Sequence, residues 1–335
     1  MDKRVIFAVA GSGKTTYIVD SLSPDKRSLI VTYTIGNYEN LSRKIAERFS
    51  GKWPDNITLM TYFQFLFRFC YKPFLSDRVG ARGIIFEINP NKFVKQRERN
   101  YFLSSSNYFY SNRLAFFLEK AGVIDDIRSR IRKYYDNFII DEVQDIAGRD
   151  FNFLESLMET AVEMLFVGDF YQHTFDTSRD GNVNQSLFNN LGSYEARFSR
   201  RGVVPDTTTL LNSWRCSSRI CDFISENLGI NISSNKTDDD SNIQFVTDPQ
   251  EKESIINNPD IVKLHYKESC QYGREHRNWG DTKGEDCYCD VCVLLNKETM
   301  KKYKARRLSE LAVSTRNKLY VAITRAHRNV YLIAE

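Results

Sequence analysis

The chain has 335 residues, 47 Lys and Arg against 43 Asp and Glu, and a net charge of +4. That length supports two domains with ordinary hydrophobic cores, and 41% hydrophobic residues exclude the disordered and fibrous classes. No apolar run is long enough to span a membrane, no apolar leader follows Met1, and the seven cysteines are odd in number and scattered. A reducing, cytoplasmic setting without membrane function is therefore expected, and so small a net charge leaves any nucleic-acid partner to be argued from motifs.

In chain order, Val5 to Val9 is an apolar run of strand length, and a helical pattern begins at Lys14 and continues through Ile18 and Leu22. Between them, Ala8-Val9-Ala10-Gly11-Ser12-Gly13-Lys14-Thr15-Thr16 matches the end of the Walker A pattern, with Ala8 in place of its first glycine. Gly11 and Gly13 let the backbone N–H groups of Ala10 to Thr16 turn towards a polyphosphate at a helix N-terminus. Lys14 reaches its outer phosphates, and Thr15 ligates Mg²⁺. ATP and Mg²⁺ are the expected cofactors.

Two further strands, Ser28 to Thr32 and Ile57 to Met60, are followed by Tyr33-Thr34 and Thr61-Tyr62-Phe63. Hydroxyls and rings at strand ends suit a groove that tracks single-stranded nucleic acid, and they equally suit core residues where a strand meets a helix. Residues 78 to 137 carry Arg78, Arg82, Lys92, Lys95, Arg97 and Arg99, then Tyr101, Phe102, Tyr108, Phe109 and Tyr110. This interleaving fits a nucleic-acid surface or a solvated helix on its own aromatic core.

Phe138-Ile139-Ile140-Asp141-Glu142-Val143-Gln144-Asp145 is an apolar strand that ends in carboxylates. With a phosphate loop upstream it reads as Walker B, Asp141 holding Mg²⁺ opposite Thr15 and Glu142 orienting or deprotonating the attacking water. Met164 to Val167 is again a buried-strand run, followed by Gly168-Asp169-Phe170-Tyr171-Gln172. Further on come Asn212-Ser213-Trp214-Arg215-Cys216-Ser217, a polar loop Ser233 to Asn242, a strand Ile243 to Val246, and Asp281-Thr282-Lys283-Gly284-Glu285 before a strand Asp290 to Leu295. Lys301, Lys302, Lys304, Arg306 and Arg307 read as a solvated helix face ahead of Tyr320-Val321-Ala322-Ile323-Thr324-Arg325-Ala326. Cys287, Cys289 and Cys292, near Cys270, His265 and His276, do not have the spacing of a standard zinc finger. Cys292 falls inside an apolar strand, so zinc is not expected.

Asp-Glu-x-Gln-Asp together with Gly-Asp-x-x-Gln resembles the UvrD/Rep branch of superfamily 1 helicases. The Asn212 to Ser217, Asp281 to Glu285 and Tyr320 to Ala326 segments are similar to that family's N-Y-R-S, K-G-L-E-F and V-A-L-T-R-A segments, in the family's order. The resemblance implies that Gln172 senses the γ-phosphate, that Arg215 contacts it, that Arg325 is the arginine finger, and that Lys283-Gly284 couples the second lobe to nucleotide or DNA. It also implies that Tyr33, Thr34, Thr61, Tyr62 and Phe63 touch single-stranded DNA. The segment that reads adenine in that family, ahead of the phosphate loop, has no counterpart before Ala8. The expected fold is α/β, with two RecA-like lobes built on parallel sheets and ATP with Mg²⁺ between them. Residues 1–77 and 138–205 form the first lobe, 78–137 a small helical insertion, and 206–335 a second lobe whose own insertion is reduced or absent. The expected activity is a DNA-dependent ATPase that translocates on or unwinds single-stranded or partly duplex DNA, in some settings beside a nuclease. The alternative is an ATP-driven switch subunit of a nuclease or antiphage complex.

Overall fold

The computed structural model describes residues 1–91, 93–174, 182–237, 240–273 and 275–335. Lys92, one of the basic residues singled out above, lies outside them. The chain divides into two compact units. One comprises Met1–Ile6, Thr15–Gly168 and the described part of Asp176–Asp206, and the other the described part of Phe7–Lys14, Asp169–Phe175 and Thr207–Glu335.

In the first unit the strands are β1 (Lys3–Phe7), β2 (Ser28–Thr32), β3 (Ile57–Thr61), β4 (Gly83–Ile85), β5 (Tyr108–Tyr110), β6 (Asn137–Asp141), β7 (Glu163–Gly168) and β8 (Val204–Asp206). Six of them form one sheet in the order β3-β2-β6-β7-β1-β8. β2 and β6 are buried at every position, as the unbroken apolar runs Leu29-Ile30-Val31 and Phe138-Ile139-Ile140 require of strands covered on both faces. The register sets Ile30 beside Leu59 and Ile139, and Ile139 beside Leu165, all in parallel pairs. This alignment puts the C-terminal ends of β2 and β6 side by side, so Thr32 reaches Asp141.

The 78–137 segment is more than helical. β4 and β5 form a separate parallel pair, alongside helices Arg99–Phe102, Leu114–Lys120 and Ile124–Tyr134. Most of its aromatics are core residues, not an exposed stacking surface. Tyr101, Phe102, Phe109 and Tyr110 are buried, with Tyr71 edge-on to Phe109 at 4.9 Å and the Arg113 guanidinium over Tyr101 at 3.8 Å. Arg78, Arg82, Lys95, Arg97 and Arg99 are exposed.

The second unit holds β9 (Asn212–Ser213), β10 (Ser233–Ser234), β11 (Ile243–Phe245), β12 (Val262–His265), β13 (His276–Asn278), β14 (Val291–Leu295) and β15 (Val330–Ala334). Five form a parallel sheet in the order β11-β15-β14-β12-β13. Trp279, Tyr320, Ile224, Val293 and Leu332 lie in one buried cluster that also takes in Val9 and Ala10. That packing corrects the strand expected over Val5 to Val9: β1 stops at Phe7, because the Val9 N–H turns away to donate to the Leu210 carbonyl at 3.0 Å. Lys301, Lys302 and Lys304 fall in the last turn of helix Lys297–Lys304, with Asn296 as its cap. Among the described residues no helix is long and apolar enough to cross a membrane.

Candidate nucleotide site and nucleic-acid interface

Gly11 and Gly13 both adopt left-handed backbone, φ +69° and +87°, a region open to glycine at little cost. Their turn delivers the chain to helix Lys14–Ser21, which starts at Lys14. Exposed N–H groups at a helix start favour an anion, and the loop lays Lys14 and Thr15 beside them. Ser12 is buried, and its hydroxyl has no hydrogen-bond partner among the described residues. A buried orphan hydroxyl in such a loop fits a polyphosphate that would supply the missing partner.

The same loop is tied to other motifs of the second unit. The Trp214 N–H donates to the Gly11 carbonyl at 2.9 Å. A Cβ at position 11 would lie 2.6 Å from Arg215 Cβ and 2.8 Å from Ser213 Oγ, so the backbones meet only because residue 11 is glycine. The Tyr320 hydroxyl accepts from the Ala10 N–H at 2.9 Å and donates to Asp169 Oδ2 at 3.0 Å. Asp169 in turn accepts from the Tyr171 N–H and caps the short turn Phe170–Gln172, in which Gln172 is buried. One phenol therefore joins the phosphate loop, the Gly-Asp-x-x-Gln turn and helix Val313–Ile323. Trp214 is 67% exposed, with its ring 4.0 Å from where a Gly13 Cβ would stand. The sequence motifs carry both Tyr320 and Trp214, but neither shows a role there, because each acquires its partners only through folding.

In the first unit Asp141 ends β6 in a buried position and accepts from Thr32 Oγ1 at 3.1 Å. Glu142 takes left-handed backbone, φ +55°. Strain of that kind at a non-glycine residue costs on the order of 1–3 kcal/mol and clusters at functional sites. Gln144 Nε2 donates to Glu142 Oε2, which fixes the carboxylate beyond the end of the strand. Thr15 and Asp141 provide one hydroxyl and one carboxylate, a donor set that suits Mg²⁺, which keeps most of its waters.

The arginines are held within the second unit. Arg215 donates from Nε to Asp286 Oδ1 at 2.7 Å and from Nη1 to the Thr324 carbonyl at 3.1 Å. Arg325 is buried, donating to the carbonyls of Val321, Thr282 and Glu285. Burial, then the nearby Arg215 charge, pulls its guanidinium down to about 10. Gly284, at φ +86°, turns the loop on which both arginines hang.

The segments expected to meet nucleic acid lie in the first unit. Thr34 caps helix Ile35–Arg48, accepting from the Asn37 N–H, and Thr61 and Gln64 form a capping box. A hydroxyl that accepts a backbone N–H keeps its own proton for donation, so both threonines remain able to contact phosphate. Tyr62 is 2% exposed and its ring stacks on Tyr33, so the expectation that Tyr62 touches nucleic acid gives way to a core position. Tyr33 and Phe63 are half-buried. Phe63 is edge-on to Tyr33 at 5.7 Å and to Phe86 at 4.9 Å, and Phe86 is 70% exposed. Phe86 went unnoticed in the sequence, since nothing local distinguishes it from the core rings that follow. Cys292 is buried in β14, while Cys270, Cys287 and Cys289 are exposed. Among the described residues no three His, Cys, Asp or Glu side chains are grouped to hold a metal ion.

No protein-family model matches the chain, and no curated protein matches it. Among solved structures it resembles an arterivirus nonstructural protein 10 helicase solved with DNA, at 15% identity and a TM-score of 0.52, over 99% of this chain and 60% of that one. It also resembles the PRRSV helicase, at 14% identity and a TM-score of 0.50, over 99% of this chain and 52% of that one. The chain thus spans less than two thirds of the length of either protein. The likeness does not single out the UvrD/Rep branch, which rests on the motifs alone. At such identities it is a likeness of fold, and the fold it shows is the helicase-like α/β architecture with two parallel sheets.

Proposed function

We propose that the chain is a nucleic-acid-stimulated ATPase of the UvrD/Rep type that couples Mg-ATP hydrolysis to translocation on, or unwinding of, DNA. The observation that carries the reading is the phosphate loop: two left-handed glycines and a buried orphan serine hydroxyl at a helix start, with the Arg215 segment packed on Gly11. In this reading residues 1–77 and 138–205 are one RecA-like lobe, 78–137 its insertion and 206–335 the other lobe. The Ala10 N–H is taken by the Tyr320 hydroxyl, so the backbone of Gly11 to Thr16 and the Lys14 ammonium bind the phosphates, Thr15 and Asp141 hold Mg²⁺, and Glu142 takes the proton of the attacking water. Gln172, Arg215 and Arg325 meet the γ-phosphate, and a contribution of about 10³–10⁵ in rate is typical of an arginine finger. Gly284 turns the loop that follows the nucleotide. The exposed Trp214 ring beside Gly13 offers a stacking surface for the base.

Single-stranded DNA, in turn, is read along Tyr33, Thr34, Thr61 and Phe63, with Phe86 extending the ring surface at about 1–3 kcal/mol per stacked base. The exposed arginines of the insertion suit phosphates, and one fold neighbour was solved with DNA. A nuclease is a fitting protein partner in this setting.

The test is steady-state ATP hydrolysis with and without single-stranded DNA. Stimulation is expected in the parent, with loss of at least about 100-fold in Lys14→Ala and Glu142→Gln at unchanged thermal unfolding. Substantial turnover in either folded variant sinks the site. Vigorous hydrolysis indifferent to nucleic acid points instead to the switch subunit of a nuclease or antiphage complex.

A further inference from the structure

Arg215 is not a freely swinging side chain. Only 12% of it is exposed, Nε is bonded to Asp286 Oδ1 and Nη1 to the Thr324 carbonyl, and Nη2 makes no hydrogen bond among the described residues. Asp286 Oδ1 is shared with His327 Nε2 at 2.7 Å. Burial works against ionisation of Asp286. The hydrogen bonds and charges of Arg215 and His327 outweigh it and hold the carboxyl below the usual carboxylate range. Thr324 and His327 flank Arg325 in the chain, and Arg325 grips the carbonyls of Thr282 and Glu285, just before Asp286. Both ends of the bracket around Arg215 are thereby anchored.

We propose that Asp286, steadied by His327, is the positioning residue that orients the Arg215 guanidinium towards the transferred phosphoryl group. The proposal rests on the reading of Arg215 as a γ-phosphate contact. A free arginine is rich in rotamers, and holding it through two of its own donors before ATP arrives removes that ordering cost from the chemical step. An exposed ion pair contributes little by itself. Here the burial of Arg215 and its second bond to a fixed carbonyl distinguish the pair from a surface contact. The negative charge of Asp286 is already matched by its two partners, which limits its repulsion of a phosphate.

The test uses the full chain with saturating single-stranded DNA, measuring kcat and KM for Mg-ATP and thermal unfolding. Asp286→Asn is expected to lower kcat by about tenfold or more while KM stays within about twofold, the split that marks an interaction made in the transition state. Asp286→Glu should recover part of the loss, and His327→Ala should lose activity in the same direction by a smaller factor. Placed in Arg215→Ala, measured by single turnover, Asp286→Asn should cost nothing more. If Arg215→Ala is crippled while Asp286→Asn keeps kcat within about twofold of the parent, or if Asp286→Asn costs the same factor in both backgrounds, the proposal is overturned and the ATP site stands. If Arg215→Ala turns over at the parent's rate, the assignment of Arg215 itself falls and takes the proposal with it. Should Asp286→Asn fail to fold, His327→Ala in the two backgrounds makes the same comparison.

Discussion

Asp150 sits in the first turn of helix Gly148–Leu157 with no exposed surface. Burial drives its carboxyl up to about 8, with the Tyr62 hydroxyl opposing the rise and the Glu119 charge adding to it. In the unfolded chain the same carboxyl ionises near 4. The folded state therefore holds a proton that the unfolded state releases between these values. Stability from the neutral form is complete below about pH 4 and drains as pH rises towards 8, by up to ~1.4 kcal/mol per pH unit. Asp150→Asn should match the parent near pH 4 and be the more stable near pH 8, read from thermal unfolding across that range. Two curves running parallel in pH would contradict the burial argument. Position 150 held no such signal in the sequence, where it is one more acid on a helix. Tyr62 was legible only as an alternative between groove and core, and its 2% exposure decides for the core. Lys14, Thr15 and Asp141, by contrast, were named from local motifs, because a phosphate loop and a strand-end carboxylate are written in consecutive residues, and Arg215 was named only through the family resemblance. Asp286 acquires its part only by facing Arg215 from 71 residues away.

At the scale of elements, the end of β7 and the turn after β6 form a single joint. A Cβ on Gly168 would stand 2.2 Å from Gln144 Oε1, 2.9 Å from Val143 Cγ1 and 3.0 Å from the Val143 backbone nitrogen. The backbone nitrogen cannot give way as a side chain can, so the turn that carries Glu142 must move. Gly168→Ala is expected to cost about 1–3 kcal/mol of stability, as overpacking does, together with at least tenfold in kcat. Urea unfolding and steady-state kinetics check the two parts, and retention of both would show that the turn is more compliant than its packing indicates. Strands such as Ser28–Thr32 were readable at both ends because apolar runs buried on two faces begin and stop with the sheet. The end of β1 was not: Ala8 and Val9 are as apolar as Val5 and Ile6, and only the bond from Val9 to Leu210 turns the chain out of the strand. The β4–β5 pair was equally hidden, since three-residue strands carry too little periodicity to separate from helix.

For the whole molecule, the parallel α/β sheets were expected from the ordered motifs and the family they resemble, and the likeness to arteriviral helicase structures agrees with that fold class. The sequence could not reveal that residues 7 to 14 pack with the later half of the chain, since that grouping depends on bonds from Val9, Ala10 and Gly11 to residues more than 200 positions away. β1 lies between β7 and β8 in the first sheet. Deleting residues 1 to 7 should therefore leave two strands without their shared neighbour. The expected outcome is aggregated protein, checked by the soluble fraction on expression, and a soluble, cooperatively melting truncation would contradict it.

The position of β1 also fixes an order of events during synthesis. Until Val204–Asp206 follows, β1 lacks β8, and its earlier partner β7 is complete only once Glu163–Gly168 has been made. At about 5–20 residues per second that is a delay of roughly 8 to 30 s, during which an apolar strand stays open to the wrong partner. Yield in the cell should therefore depend on elongation rate and on chaperones that shield nascent chains, as much as on the stability of the finished fold.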